Sequence, residues 1–191
     1  MKKKVLSIVL AFLLVALFLP MTASAAADTT LTGFAGGNGE ATTPYQIGTK
    51  DQLANLAAIV NGGKSCKDTY FVLTADIGSS SSPVTTVIGN DLSQFKGHFD
   101  GADHTVTLAI DQPSSTYVGL FAALNEGGEI KNVHTAGSVQ GFQYVGSICG
   151  YNNCSTISGC TNAAAVTGKN SFVGGICGGC GCSTTGYTTV I

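Results

Sequence analysis

Apolar residues fall into short runs separated by Gly, Asn, Ser and Asp over most of this 191-residue chain. The alternation is clearest where Val106, Leu108 and Ile110 are separated by small residues. A period of two is typical of a half-buried β-strand, and the separating residues favour tight turns. The same reasoning predicts strands at three further places: Tyr45 to Ile47, within residues 69–77, and Val84 to Ile88.

One segment has helical spacing instead. Thr49 stands in N-cap position with Gln52 three residues later, the arrangement of a capping box, and a glycine pair follows Asn61. The pattern predicts a helix near residues 50–61 that packs against the β-structure following it. Its apolar positions recur at intervals of three and four: Leu53, Leu56, Ala57 and Val60.

The C-terminal half contains a repeat whose copies share an aromatic residue, a Val, a Gly and an alternating apolar pair. The period is 27 and then 28 residues, measured at Val118, Val145 and Val173. A period of this length with about three short strands and no helix is typical of one coil of a parallel β-solenoid. The copies are "YVGLFAAL" from Tyr117, "YVGSICGYN" from Tyr144 and "FVGGICGGC" from Phe172.

These segments resemble bacterial surface proteins with the GLUG motif. The resemblance is carried by "FKGHFDGADHTVTLAI", "YVGLFAAL", "GEIKNVHTAGSVQGFQYVGSICGYN" and "FVGGICG", and by the upstream "GGNGEATTPYQIGTKDQLANLAAIVNGGKS". It implies an all-β fold, a right-handed parallel β-helix with coils of about 27 residues and a short N-terminal α-helical cap. Such repeats occur in adhesin-like proteins and N-terminal to some IgA-type metallopeptidases. Two departures are that Ala122 stands where the family usually has Gly, and that the repeats stop after about two and a half coils.

The N-terminus has the organisation of a secretory signal peptide. Three lysines precede an apolar run from Val5 to Leu19, and small residues follow up to Ala25. We therefore predict a signal peptide over residues 1–25 and a location that is secreted or at the cell wall or surface, with no membrane span after cleavage. The expected parts are a cap with the first coil over residues 28–111 and GLUG-like repeats over 112–191. These repeats are incomplete, so we expect further repeats or domains after Ile191 in the full-length protein.

The net charge of the chain limits the classes of function that we expect. Removal of the three leader lysines leaves six lysines against eleven acidic side chains, a net charge of −5, and the chain has no Arg. A nucleic-acid partner is not expected, because binding phosphates requires a basic face. The Gly-rich segments neither open a helix nor precede a Lys-Ser/Thr pair, so we expect no phosphate cradle and no cofactor.

Enzymatic activity has one weak set of candidate residues. Asp100, Asp103 and His104 could form an acid/base set if the chain were a carbohydrate-active enzyme of the pectin-lyase-like β-helix class. The alternative is that "DGADH" is a structural turn, since Asp and Gly stabilise tight turns. The spacing of a zinc peptidase motif is absent from the three histidines. We therefore expect no enzymatic activity.

The seven cysteines leave three alternatives open. Cys177, Cys180 and Cys182 are weak candidates for a metal site, although a second ligand pair with suitable spacing is missing. The repeat places Cys149 in register with Cys177, and Cys154 with Cys182, so stacked thiols or disulfides are possible. The third alternative is small buried residues without a bridge.

The function that these observations favour is a secreted or surface-displayed bacterial β-solenoid module without catalysis. It would act as a scaffold or adhesin-like surface for an extracellular glycan or for a protein of a host or neighbouring cell. Two alternatives remain: a carbohydrate-active enzyme, and the non-catalytic N-terminal portion of a larger surface peptidase.

Overall fold

The structure is a computed structural model, and it describes residues 31–182. The predicted signal peptide, residues 28–30 of the predicted cap and residues 183–191 lie outside the described residues. The described part contains one α-helix and short strands. In chain order they are β1 (Tyr45–Ile47), α1 (Lys50–Asn61), β2 (Tyr70–Leu73), β3 (His98–Asp100), β4 (Thr105–Asp111), β5 (Phe121–Leu124), β6 (Glu129–Lys131), β7 (His134–Gly141), β8 (Cys149–Asn153), β9 (Thr156–Ser158), β10 (Thr161–Asn162), β11 (Ala165–Gly168) and β12 (Cys177–Gly181).

All pairings between these strands are parallel, and the strands form three sheets along the stack. One sheet has the order β1-β2-β3-β6-β9, a second joins β4, β10 and β11 to β7, and a third has the order β12-β8-β5. Each turn of the chain contributes a strand to successive sheets, so the predicted parallel β-solenoid is confirmed. The five-stranded sheet corresponds to about five turns.

Inward side chains stack into ladders. Along the five-stranded sheet, directly paired residues form one buried row, as expected for strands that repeat at each turn. Phe95 and Phe121 lie beside this row with ring centroids 5.0 Å apart, and both side chains are fully buried. The row consists of Tyr45, Phe71, Phe99, Ile130 and Ile157.

Helix α1 follows the edge strand β1, and its four predicted apolar positions are buried in the same core. Its N-terminus has the predicted cap: Thr49 Oγ1 accepts a hydrogen bond from the Gln52 backbone N–H at 3.3 Å. The Gln52 side chain accepts in turn from the Gly48 N–H at 2.7 Å. Gly62 is the C-cap. The predicted helix boundaries and apolar face are confirmed.

The predicted repeat register is also confirmed. Val118 pairs with Val145, and Val145 with Val173. The strand predicted at Val84 to Ile88 is wrong, because Val84 and Ile88 make only isolated parallel bridges. Their partners are Leu108 and Phe121, which belong to different sheets. The segment turns a corner where a strand was expected.

Candidate binding cleft

A cleft of about 730 Å³ lies on the outside of the solenoid. Three parts of the chain form it: the end of α1, the corner at residues 85–91 and the turn at residues 112–117. Its lining residues are Asn61, Thr85, Thr86, Val87, Gly89, Asn90, Asp91, Gln112, Ser115, Thr116, Tyr117 and Ala122.

Two asparagines fix the walls of this cleft. Asn61, at the end of α1, donates from Nδ2 to the Val87 carbonyl at 3.2 Å and accepts from the Gly89 N–H at 2.7 Å. The Asn90 side chain accepts from the backbone N–H groups of Leu92 and Ser93 at 2.9 and 2.8 Å. Both amides satisfy backbone groups of a corner that has no regular strand pairing. They therefore hold the corner at residues 85–91 in place.

Other polar side chains of the cleft remain available to a ligand. Within residues 31–182, no side-chain hydrogen bond engages five of the lining residues. Hydroxyl and amide groups both donate and accept, so they can bind ligand hydroxyls from several directions. These residues are Thr85, Thr86, Gln112, Ser115 and Thr116.

The electrostatics of the cleft are simple. Asp91 is the one acidic or basic side chain among the lining residues, apart from the Tyr117 phenol. A single exposed carboxylate without a neighbouring cation disfavours anionic ligands. The cleft therefore suits a neutral, hydroxyl-rich molecule.

Tyr117 connects the cleft to a group of four rings on the surface, which we call the aromatic cluster: Tyr117, Tyr144, Tyr151 and Phe172. The ring centroids of Tyr117 and Tyr144 are 5.4 Å apart, and those of Tyr144 and Phe172 are 4.6 Å apart with nearly parallel planes. Tyr151 lies 5.6 Å from Tyr117 and 5.4 Å from Tyr144. Burial raises the pKa of Tyr151, and the neighbouring phenols add to the effect. The rings form one packed group that ends at the cleft.

Two members of the cluster have an uncommon backbone conformation. Tyr144 has φ of 49° and Phe172 has φ of 68°, in the left-handed region where Gly and Asn are favoured and bulky residues are rare. Such conformations persist where the surrounding structure enforces them, and they concentrate at functional sites. Aromatic residues in equivalent positions of two consecutive turns thus share this conformation.

The residues that the sequence nominated for acid/base chemistry have separate partners. Asp100 lines a second pocket of about 100 Å³ and lies 3.4 Å from Lys131 Nζ. Asp103 lies 3.7 Å from His134 Nε2, and the Nδ1 of His104 lies 3.2 Å from an Asp76 oxygen. Neither Asp103 nor His104 lines the pocket of Asp100.

The "DGADH" segment is a turn between β3 and β4. Ala102 and Asp103 have φ of 47° and 62°, and Asp100 accepts from the Ala102 N–H at 2.9 Å. Nearby, the Thr105 N–H, at 2.8 Å, and His104 lower the pKa of Asp76 below its ordinary value. These carboxylates lie at the corner that connects two sheets. This arrangement corresponds to the alternative in which "DGADH" is a structural turn.

The three cysteines that were candidates for a metal site have three different environments. The structure joins Cys182 to Cys154 by a disulfide with a Cα separation of 4.8 Å. Cys177 pairs in register with the buried Cys149, and Cys180 is exposed opposite Asn152. Burial raises the pKa of Cys149 well above its ordinary value, whereas the hydrogen bond from Cys149 lowers the pKa of Cys177. Among residues 31–182, no three His, Cys, Asp or Glu side chains are grouped to hold a metal ion.

The cleft residues had no signal in the sequence. Tyr117 belongs to a repeat that predicts a coil, and "QPSST" looks like an ordinary connection. The one indication of a site was the aromatic residue that the three repeats share, because a position that only packs in the core can hold a side chain without a ring.

Comparisons with known proteins find similarity to curated proteins and to a solved structure. No protein-family model matches it. Over 118 residues, 55% of this chain, it is 37% identical to Halomucin of Haloquadratum walsbyi, covering 1% of that protein. Over 110 residues, 54% of this chain, it is 30% identical to a protein of Evansella cellulosilytica named "Putative Gly-rich membrane protein", covering 12% of it. The chain thus spans a small part of the length of the curated relatives it matches.

A solved structure shares the fold. It is described as a "putative immunoglobulin A1 protease" from Bacteroides ovatus, and it matches with a TM-score of 0.60 at 23% identity. The match covers 82% of this chain and 48% of that one. At this identity the likeness concerns the fold alone. Within the described residues, no helix has the length and apolar character needed to cross a membrane.

Proposed function

We propose that this chain is a non-enzymatic β-solenoid module of a secreted or surface-displayed protein, and that it binds extracellular glycan in the cleft. The observation that carries the proposal is the cleft itself. It has a volume suited to a few sugar units, several uncommitted hydroxyl and amide groups, one carboxylate, and the ring of Tyr117.

The positions of the carboxylates support a module without catalysis. Glycoside hydrolysis generally uses a pair of carboxyl groups on either side of the scissile bond. The described cleft offers Asp91 alone, and Asp100 and Asp103 pair with Lys131 and His134 at the corner between sheets. The module is expected to hold a glycan without cleaving it.

A surface location is supported by the relatives. One is named Halomucin and another "Putative Gly-rich membrane protein", and both match about half of this chain. The basic and apolar leader at residues 1–25 supports export. The resemblance to GLUG-motif surface proteins is consistent with the same location.

Binding of neutral polysaccharides to the purified chain tests this proposal. The double variant Gln112→Ala/Thr116→Ala removes one amide and one hydroxyl from the cleft, and we expect affinity to fall by about tenfold or more, at roughly 1 kcal/mol per lost hydrogen bond. The matched control is Gln46→Ala/Thr167→Ala, which removes the same groups from exposed positions outside the cleft. Wild type and control should bind alike.

The alternatives are outcomes of the same experiment. Failure of the chain to bind any neutral polysaccharide in the panel would contradict the proposal. Release of new reducing ends or unsaturated products would instead support a carbohydrate-active enzyme.

A second candidate function comes from the fold likeness. The Bacteroides ovatus structure described as a "putative immunoglobulin A1 protease" matches this chain over 48% of its own length. This favours a role for the present chain as the non-catalytic portion of a larger surface peptidase. Incubation with immunoglobulin A1 tests it: the candidate predicts a complex without cleavage, and the absence of a complex would count against it.

A further inference from the structure

We propose that the ligand is a polymer of neutral pyranose units with an apolar ring face, such as a β-linked glucan, and that one pyranose ring stacks on Tyr117 as the next ring of the aromatic cluster. This inference rests on the proposed function and names the class of glycan. It also assigns Tyr144, Tyr151 and Phe172 as positioning residues for the Tyr117 ring.

The first step is the direction of the cluster. Tyr117, Tyr144 and Phe172 precede the stacked residues Val118, Val145 and Val173, so successive turns contribute one ring each along the solenoid axis. The rings follow one another at centroid distances of 5.4 and 4.6 Å. Tyr117 is the first ring of this row, and it lines the cleft.

The second step is the turn before Tyr117. It brings Thr85 and Thr86 to the same cleft that Tyr117 lines. Ile88 of that turn pairs with Phe121 of the next, so the two turns are consecutive. The row of rings therefore ends beside an open space bordered by hydroxyl groups.

The third step is the chemistry of that space. A pyranose ring with equatorial hydroxyls has axial C–H groups on its faces and hydroxyls on its rim. One face can bury apolar surface on the Tyr117 ring, as aromatic side chains do with one another. The rim then lies near the threonines and Gln112, which can donate and accept. Uronic acid polymers are disfavoured because Asp91 provides a like charge.

The fourth step concerns the other rings. Tyr144 contacts both Tyr117 and Tyr151, and it occupies the left-handed region despite its bulk. A ring held between neighbours loses little freedom when it binds, which increases affinity. The cluster therefore fixes the orientation of Tyr117 before the ligand arrives.

The experiment measures affinity for soluble β-glucan oligosaccharides and for oligogalacturonate, together with the tyrosine fluorescence of the chain, which contains no Trp. Tyr117→Ala should lower β-glucan affinity by about tenfold or more, and Tyr117→Phe should retain it within about threefold, because stacking needs the ring and not the hydroxyl. Binding to wild type should change the tyrosine fluorescence. Oligogalacturonate should bind more weakly.

Tyr144→Asn tests the positioning role. Asn tolerates the left-handed region, so the variant removes the ring without adding backbone strain. We expect weaker β-glucan binding with the thermal midpoint nearly unchanged. Tyr70→Ala is the control, because Tyr70 stacks on His98 at 4.2 Å and is not among the residues lining the cleft.

The outcomes separate the two proposals. If neutral glycans bind and both Tyr117 variants leave affinity unchanged, the stacking inference is overturned and the proposed function stands. The same holds if oligogalacturonate binds more tightly than β-glucan. If no glycan binds, the proposed function itself fails. A fall in affinity for Tyr70→Ala equal to that for Tyr117→Ala would also overturn the inference.

Discussion

Gly150 lies where two consecutive turns of the solenoid come into close contact. A Cβ atom at this position would lie 2.6 Å from both the Ala122 carbonyl oxygen and the Val118 nitrogen. Both atoms belong to the backbone of the preceding turn, so they cannot rotate away as a side chain would. Gly178 is the equivalent residue one turn later. A Cβ atom there would lie 2.4 Å from the nitrogen of Val145, which is the residue equivalent to Val118. The glycine after each "IC" pair is thus required by the spacing of the turns.

A first prediction tests that requirement. Gly150→Ala forces the turns apart, and overpacking of this kind costs about 1–3 kcal/mol. The free energy of unfolding in urea should fall by that amount, and the thermal midpoint should fall by several degrees.

The control for this prediction is Gly175→Ala. Its Cβ would lie 3.5 Å from the Asn162 amide nitrogen, which is ordinary contact, and the backbone is outside the left-handed region. Its stability should match wild type. Equal stability of Gly150→Ala and wild type would show that the stack tolerates a wider spacing.

At the scale of elements, α1 depends on its N-cap. Thr49 Oγ1 accepts from the Gln52 N–H, and Gln52 Oε1 accepts from the Gly48 N–H, so the two side chains satisfy donors at the start of the helix. The buried face of α1 then enters the common core through Leu53, Leu56 and Val60.

A second prediction follows for the cap. Thr49→Ala should lower the free energy of unfolding by about 1 kcal/mol, because one backbone donor loses its acceptor. Thr49→Ser keeps the hydroxyl and should restore nearly all of that loss. Urea unfolding followed by circular dichroism measures both, and equal effects of the two substitutions would contradict a capping role.

The elements also show how far the sequence predicts the structure. A local pattern made it possible to predict β1, α1 and the repeat register. For β1 the pattern is a short apolar alternation, for α1 it is an apolar stripe with an N-cap, and for the repeat it is a recurring aromatic-Val-Gly sequence. The corner at Val84 to Ile88 could not, because its apolar ends pair with strands of different sheets. Pairing over a distance overrides local propensity there.

The recurring sequence does not extend into the first turns of the solenoid. Their inward positions hold Phe71, Phe95 and Phe99, whereas the next turn places Ile130 and Leu124 in register with Phe99 and Phe95. A ladder needs buried apolar side chains in register and accepts different ones at each turn. The number of copies of the sequence repeat is therefore smaller than the number of turns that contribute strands to the five-stranded sheet.

The candidate site was harder to predict than the fold. The cleft combines the end of α1, a corner and a turn that lie far apart in the chain. The spacing of its residues along the sequence follows no recognisable motif, because neutral hydroxyl and amide groups lack the geometric demands of a metal or phosphate site. Asp100, Asp103 and His104 stood out only because ionisable residues are conspicuous in a chain with 10% charged residues.

At the scale of the whole molecule, each turn contacts its neighbours and little else. The stability of such a stack is close to a sum over turns and the interfaces between them. The turn that contains β12 is joined to the preceding one by strand pairing with β8 and by the disulfide between Cys154 and Cys182. A cross-link across 28 residues should stabilise that interface by about 3 kcal/mol, mainly by restricting the unfolded chain.

The third prediction is that loss of this disulfide acts locally. In Cys154→Ser, amide hydrogen exchange should accelerate in β12 while β5 and β2 keep the protection of wild type, because opening one interface between turns leaves the others closed. A reducing agent should produce the same change in wild type. Cys180→Ser is the control, since Cys180 is exposed and outside the disulfide. Uniform loss of protection in all strands would instead show that the solenoid unfolds as one cooperative unit, with the energy of the cross-link shared by every turn.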